Sequence, residues 1–431
     1  MTTKLTIDNF SDVETIGISW QSVKTSSFTA VAGEGYFCNT TSSAFTVTLP
    51  SSPSAGDSVA IKDYAGTFAS NNLTIARNGE NIQGAANDSL ISTNRASVTL
   101  VYIDSTKGWL YTDEHNVGDL QLSTFITATG GTITTSGDYK IHTFTGDGCF
   151  VVSSVGNGPL VPTGGPNTVS YVVVAGGGSG GGHSPGTASS YSSGGGGAGG
   201  FREGQDITPS YTASPLVAPT GLTITQTTYP VTVGGGGATK IETSPNQGNP
   251  GSPSSFSTIT STGGGGGARG GASDPGDSGG SGGGISMGSN TTGAGNTPPV
   301  SPPQGNPGGT TGGGIPNRGA AGGGGAGVAG TNNPSGNDGT PGGDGVTTSI
   351  SGSPTAYAGG GGAGGWNGST KGNGGTGGGG NGGQSSDGFA GTANTGGGGG
   401  GSGPINVVGG STAQDGGAGG KGIVIIRYKF Q

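Results

Sequence analysis

Short runs of β-branched and aromatic residues, separated by Gly, Asn, Pro and Ser, fill the first quarter of the chain. In FTVTLP, Phe45, Val47 and Leu49 alternate with threonines, which is the period of a strand with one buried face. The 3.6-residue period of an amphipathic helix is absent. The pattern predicts an all-β module over residues 31–116, a small antiparallel sandwich or barrel. Trp20 and Trp109 lie in strand-like segments and are predicted to be core residues.

The pattern then changes twice. Residues 117–138 are polar and rich in Gly and Thr, which predicts a linker. Strand character returns in residues 139–154, with a predicted hairpin about GDG at 146–148. Residues 168–175, TVSYVVVA, run into a glycine block, and IVIIRYKF closes the chain at 423–430. An apolar final strand needs a partner, so these two segments are predicted to pair and form a small β base.

Blocks of glycine alternate with unlike segments between those two strands. GGGGAGG stands at 194–200 and again at 359–365, and the chain has 106 glycines in all. Such blocks are either flexible spacers or rigid helices of polyproline II type packed side by side, which only glycine allows. Their similar lengths and the strands at both ends favour packed polyglycine helices over residues 139–431, with the intervening segments, such as 286–307 and 331–357, as loops.

Composition and charge limit the classes of function. The net charge is −8 without a basic run, so nucleic acid is not an expected partner. The first residues lack the apolar stretch of a signal peptide, which predicts synthesis in a cytoplasm. Cys38 and Cys149 are the only cysteines and are predicted to be buried free thiols. No His/Cys cluster has metal-ligand spacing, and no cofactor or metal is expected.

The strand and glycine segments together resemble a known family. TVSYVVVAGGGSGGG, YPVTVGGGG, GGGGGARGG and the closing GGAGGKGIVIIRYKF are similar to the glycine-rich domain of bacteriophage tail-fibre and tail-tip proteins. Residues 30–84 and ASVTLVYIDSTKGWLYTD resemble a module of tail fibres from marine and cyanobacterial phages. In the related adhesins, a sandwich of polyglycine helices carries loops that recognise the host.

This resemblance implies a receptor-binding protein of the virion tail, assembled in the host cytoplasm. Its expected partners are other tail proteins, bound through an N-terminal attachment segment at residues 1–30, and a host outer-membrane protein or lipopolysaccharide. Fibre proteins of this type are commonly trimeric. Edge strands in the N-terminal half, which a lone module would leave unpaired, also favour a homotrimer.

The receptor-binding candidates are residues in or beside the segments between glycine blocks: His183, Tyr191, Met287, Tyr357, Trp366 and Phe389. For Trp366 and the other aromatic residues, two interpretations stay open. The side chain closes the end of a glycine helix, or it contacts the receptor directly, for example as a platform that stacks on a sugar.

No catalytic residues are predicted. A polysaccharide depolymerase is the enzymatic alternative and would need two acids about 5–10 Å apart. Asp274/Asp277 and Asp338/Asp344 are the pairs to consider, and solvated loop acids explain them better. A purely structural decoration protein of the virion is the third hypothesis. GGAGGKG at 416–422 departs from a P-loop, because Ser or Thr does not follow Lys421 and a strand comes next.

Overall fold

A computed structural model describes most of the chain: residues 17–113, 124–158, 165–183, 191–206, 211–239, 247–271, 275–287, 291–312, 318–334, 336–407, 410–411 and 413–431. It divides into two compact units. The first comprises residues 1–124 and 157–164, and the second comprises residues 125–156 and 165–431. The described residues form strands, turns and extended segments and no α-helix, which confirms the predicted all-β class.

The first unit contains short strands that alternate between two sheets. Its described strands are β1 Ser19–Trp20, β2 Phe28–Thr29, β3 Glu34–Cys38, β4 Phe45–Thr48, β5 Ser58–Asp63, β6 Leu73–Ala76, β7 Ser89–Ile91, β8 Ser97–Asp104 and β9 Gly108–Asp113. One sheet has the order β1-β3-β5-β8-β9 and the other β2-β4-β6-β7, and neither is closed. The two sheets share one core, with Val47, Ile61, Ile75 and Trp109 fully or almost fully buried.

The pairing in this unit differs from the antiparallel expectation. β1, β3 and β5 run parallel, as do β2, β4 and β6. From β1 to β6, the chain crosses to the opposite sheet after each strand, so strands two apart in sequence lie side by side in the same direction. Only β7, β8 and β9 add antiparallel pairs. The alternation of apolar and polar residues along a strand predicts which face is buried. It does not distinguish parallel from antiparallel pairing.

One boundary and one core assignment are corrected here. Within the predicted attachment segment 1–30, β1 and β2 are integral strands of the module, while residues 1–16 lie outside the described residues. Trp20 is 47% exposed because it lies on the outer face of the edge strand β1. Its ring packs 4.7 Å from the Phe37 ring, centroid to centroid, whereas Trp109 is buried as predicted.

The second unit is built on two larger sheets. Its described strands are β10 Thr127–Thr129, β11 Thr132–Ser136, β12 Tyr139–Phe144, β13 Gly148–Ser154, β14 Thr168–Val174, β15 Phe201–Gly204, β16 Val217–Ala218, β17 Leu222–Thr223, β18 Thr228–Thr232, β19 Ser254–Phe256, β20 Ile259–Ser261, β21 Val346–Thr348, β22 Thr355–Tyr357, β23 Asn406–Val407, β24 Gly410–Ser411 and β25 Ile423–Lys429. The sheet orders are β11-β12-β25-β14-β15-β16 and β10-β13-β18-β19-β20. We call these two sheets the base.

The base confirms one predicted pairing and corrects three other predictions: the linker, the hairpin and the burial of Cys149. β14 and β25 are antiparallel neighbours, as the two apolar runs predicted. β10 and β11 fall inside the predicted linker 117–138, where residues 114–123 lie outside the described residues. β12 and β13 do not form a hairpin, because the turn between them takes the chain from one sheet to the other. Cys149 lies on the outer face of β13 and is exposed, while Cys38 is buried.

Candidate functional site: the end of a stack of glycine struts

The glycine blocks form extended segments, here called struts, that bond to one another through their backbones. In the central strut, residues 193–200, the N–H groups of Gly194, Gly197 and Gly200 donate to Ala268, Gly265 and Thr262 at 2.8–2.9 Å. Every third N–H therefore points to the same neighbour, which is the repeat of a three-fold extended helix. The N–H groups of Gly196 and Gly199 donate in the same way to Gly399 and Gly396.

The central strut has six neighbours among the described residues. It donates to the segments 262–268, 321–324 and 396–402, and it accepts from 175–181, 281–284 and 361–364. Such close approach excludes side chains. A Cβ on Gly197 would meet the Ser281 carbonyl oxygen inside contact distance and lie 2.7 Å from the Gly282 carbonyl carbon. The blocks are thus rigid elements of the fold, as the packed-helix hypothesis predicted, and not spacers.

Segments predicted as loops also contribute struts. In residues 286–307, the Gly293 N–H bonds the Gly283 carbonyl and the Asn306 N–H bonds the Gly325 carbonyl. Residues 331–357 likewise contain β21 and β22, which pair as a hairpin. Glycine is needed only on the crowded sides of a strut, so a strut at the edge of the stack tolerates Asn and Thr and does not look like a glycine block.

The stack has two different ends. The chain leaves β14 at Val174, runs through residues 175–182 to His183, and returns from Tyr191 through the central strut into β15. Residues 184–190 lie outside the described residues. His183 and Tyr191 therefore lie at the end of the struts away from the base. We call this end the tip.

Three of the predicted residues lie with Tyr191 at the tip. Trp366 ends the strut 358–365, which runs antiparallel to the central strut. Met287 follows Ser286, whose hydroxyl donates to the Ser192 carbonyl at 2.8 Å. His183 is the third, but it is fully buried, and its backbone exchanges hydrogen bonds with Gln414 at 2.8 and 3.2 Å. Because the side chain is buried, His183 is part of the packed structure and not an exposed contact. The same burial lowers the pKa of its imidazole.

Two predicted residues lie elsewhere. Tyr357 ends β22 at the base side of its strut and is only 4% exposed, in a core cluster with Val174 and Ile425. It is a core residue and not part of an exposed loop, which corrects the position that the sequence analysis gave it. Phe389 lies on a flank of the stack, where its ring is 53% exposed and the Lys371 ammonium is 4.6 Å from the ring centroid.

Arg318 is a tip residue that the sequence analysis missed. It precedes a strut that runs parallel to the central strut. The Gly195 N–H donates to the Ala321 carbonyl, and the Ala198 N–H donates to the Gly324 carbonyl. Its guanidinium carbon lies 5.6 Å from the Tyr191 ring centroid and 4.8 Å from that of Trp366. One feature of the sequence could have identified it: Arg318 is the only Lys or Arg between residues 270 and 370.

The acid pairs considered for a depolymerase have structural partners where they are described. Asp338 accepts the Thr370 N–H and Asp344 accepts the Thr376 N–H, both at 2.8 Å. Asp274 lies outside the described residues. In the described part of the chain, no group of three His, Cys, Asp or Glu side chains could hold a metal ion. Nor does any helix there have the length and apolar character required to cross a membrane.

Comparison with known proteins agrees with this architecture. A family model described as a glycine-rich domain matches residues 153–429, more than half of the chain. The chain belongs to this glycine-rich domain family. The match covers the base from β14 onward and the whole stack of struts, so both contribute to the glycine-rich domain. A comparison with curated proteins gives no significant match.

Proposed function

We propose that this protein is a non-enzymatic receptor-binding protein of a bacteriophage tail. In this proposal, the first unit attaches the protein to other tail proteins, and the tip of the glycine-rich domain recognises an outer-membrane protein or lipopolysaccharide of the host. The working location is the tail of the virion, after assembly in the host cytoplasm. We further propose a homotrimer, in which the exposed Trp20 edge of the first unit is covered by a neighbouring chain.

One observation carries this proposal. The struts bring Tyr191, Met287, Arg318 and Trp366, which are far apart in sequence, to one end of a rigid backbone lattice. Residues held on a rigid scaffold and clustered at one end can form a recognition surface without ordering on binding. A spacer or a purely structural domain does not need such a cluster.

The test is competition for adsorption. Purified full-length protein is added to candidate host cells, and both its binding and the residual adsorption of phage are measured. We expect saturable binding and loss of phage adsorption. Protein that binds no host and leaves adsorption unchanged would contradict the proposal.

Two aromatic variants locate the binding surface. Trp366→Ala removes an aromatic residue of the tip, and Phe389→Ala removes one from the flank. We expect Trp366→Ala to weaken cell binding at least tenfold and Phe389→Ala to leave it within twofold. Thermal unfolding of both variants shows whether each domain is intact. Equal binding by the two folded variants would contradict a recognition surface at the tip.

A further inference from the structure

We propose that Arg318 binds an acidic group, a phosphate or a carboxylate, on a sugar of the host surface. This inference rests on the proposed function and specifies the chemistry of the ligand. It differs from the interpretation in which the Trp366 ring itself is a platform that stacks on a sugar. The Arg318 guanidinium already lies over that ring, 4.8 Å from its centroid.

The position of Arg318 is fixed from several sides. The Asn337 side-chain oxygen accepts the Arg318 backbone N–H at 3.1 Å, and the Asn337 carbonyl accepts the Trp366 N–H at 2.8 Å. The Arg318 carbonyl accepts the Ser192 N–H at 3.1 Å, directly after Tyr191. These bonds fix the backbone at Arg318, at Trp366 and next to Tyr191, so the cation and both rings extend from backbone positions that need not be ordered on binding.

The guanidinium of Arg318 has no hydrogen-bond acceptor in the part of the chain that the structure describes. Among the described residues, its guanidinium makes no hydrogen bond and no ion pair, although a guanidinium carries five N–H donors. The two aromatic rings attract the positive charge but provide no conventional acceptor. The indole N–H of Trp366 is also buried without a partner in this part of the chain. Arg318 therefore presents hydrogen-bond donors alone, which is the complement of an anionic oxygen.

The charge distribution favours a specific site over general attraction of polyanions. The chain carries a net charge of −8, and Arg318 is its only Lys or Arg between residues 270 and 370. A broad basic surface would hold many anions weakly, whereas a single oriented guanidinium can bind one phosphate or carboxylate through two parallel hydrogen bonds. Lysine, as a point charge, does not reproduce that geometry.

The experiment follows the three tryptophan indole N–H signals of the full-length protein by NMR. Sodium phosphate, sodium glucuronate and neutral glucose are titrated separately, with ionic strength held constant by sodium chloride. We expect phosphate or glucuronate to shift the Trp366 signal in a saturable way, while glucose leaves it unchanged. Trp109, buried in the first unit, is the internal reference. Lipopolysaccharide before and after dephosphorylation then separates a phosphate source from a carboxylate source.

Variants make the inference falsifiable. Arg318→Gln should weaken anion binding at least tenfold, Arg318→Lys should retain part of it, and Arg95→Gln, which removes an exposed cation of the first unit, should have no effect. The inference is overturned if neither anion shifts the Trp366 signal of the wild type, or if folded Arg318→Gln responds like the wild type. If cells are still bound in that case, the receptor-binding function stands and only the acidic ligand is wrong.

Discussion

Adding one methyl group to the central strut should strongly destabilise the glycine-rich domain. In Gly197→Ala, the new Cβ would lie inside contact distance of the Ser281 carbonyl oxygen and 2.7 Å from the Gly282 carbonyl carbon. Both are backbone atoms, so no side chain can rotate away to make room. The strut that contains residues 281–284 must move, or the central strut must.

The size of the effect follows from the bonds that such a movement breaks. The Ser281 N–H donates to the Ala198 carbonyl at 3.0 Å, and the Gly284 N–H donates to the Gly195 carbonyl at 2.8 Å. Each buried hydrogen bond that is broken costs at least about 1–3 kcal/mol, because polar groups are left without a partner, so two broken bonds cost at least about 2–6 kcal/mol. Overpacking adds about 1–3 kcal/mol. The total is a large part of the roughly 5–15 kcal/mol that keeps a domain folded.

Gly235→Ala is the matched control. Gly235 also stands inside a glycine block, but no atom lies within 4 Å of the position that a Cβ would take, and its φ is not positive. Alanine there should be neutral, or stabilise the domain by about 0.4–1 kcal/mol by restricting the unfolded chain. The two variants therefore make the same chemical change with opposite expected signs.

The assay is calorimetric unfolding combined with limited proteolysis of the full chain. We expect the transition of the glycine-rich domain to fall by on the order of 10 °C or to disappear in Gly197→Ala, with no fall in Gly235→Ala. The first unit has its own core and should keep its protection in both variants. Equal transitions in the two variants would refute the packed-strut argument, since a flexible spacer does not distinguish them.

Three further outcomes are expected. Burial raises the pKa of Cys38 to about 12 while Cys149 is exposed, so a thiol reagent should label one cysteine in the native chain and two after denaturation. Burial lowers the pKa of His142 and His183 from 6.5, so below pH 6.5 the unfolded chain binds protons that the fold does not. The glycine-rich domain should therefore melt lower at pH 5 than at pH 7.5, and His142→Phe should reduce this slope. Light scattering should give three times the mass of one chain, and a monomer mass would contradict the trimer.

Much of the base could be predicted because its strands carry strong local signals. The apolar runs of β14 and β25 have no polar face, so each needed cover on both sides and a partner along its edge. The parallel pairing of the first unit could not be predicted in the same way. Alternation in Phe45–Thr48 records which face is buried but not which strand lies alongside, and that depends on connections between distant residues.

The tip could be predicted only in part, for a related reason. Aromatic residues next to glycine blocks identified Tyr191 and Trp366, but the same rule also selected Tyr357, at the opposite end of its strut. A residue next to a strut lies at the tip or at the base, depending on the direction in which the strut runs. A run of glycines has no side-chain pattern from which that direction could be predicted. Arg318 joined the cluster through backbone bonds between struts, which leave no pattern in the sequence.

The struts and the tip are therefore under different physical constraints. In the central strut, each N–H from Gly194 to Gly200 bonds one of three neighbours, and a Cβ on any of its glycines would meet an atom of a neighbouring residue at less than 3.0 Å. Substitutions there act on the whole lattice. At the tip, the side chains of Met287, Arg318 and Trp366 project from strut ends and can change without moving a strut. A lattice that fixes the positions of the tip groups, but not their chemical identity, is consistent with the receptor-binding function proposed above.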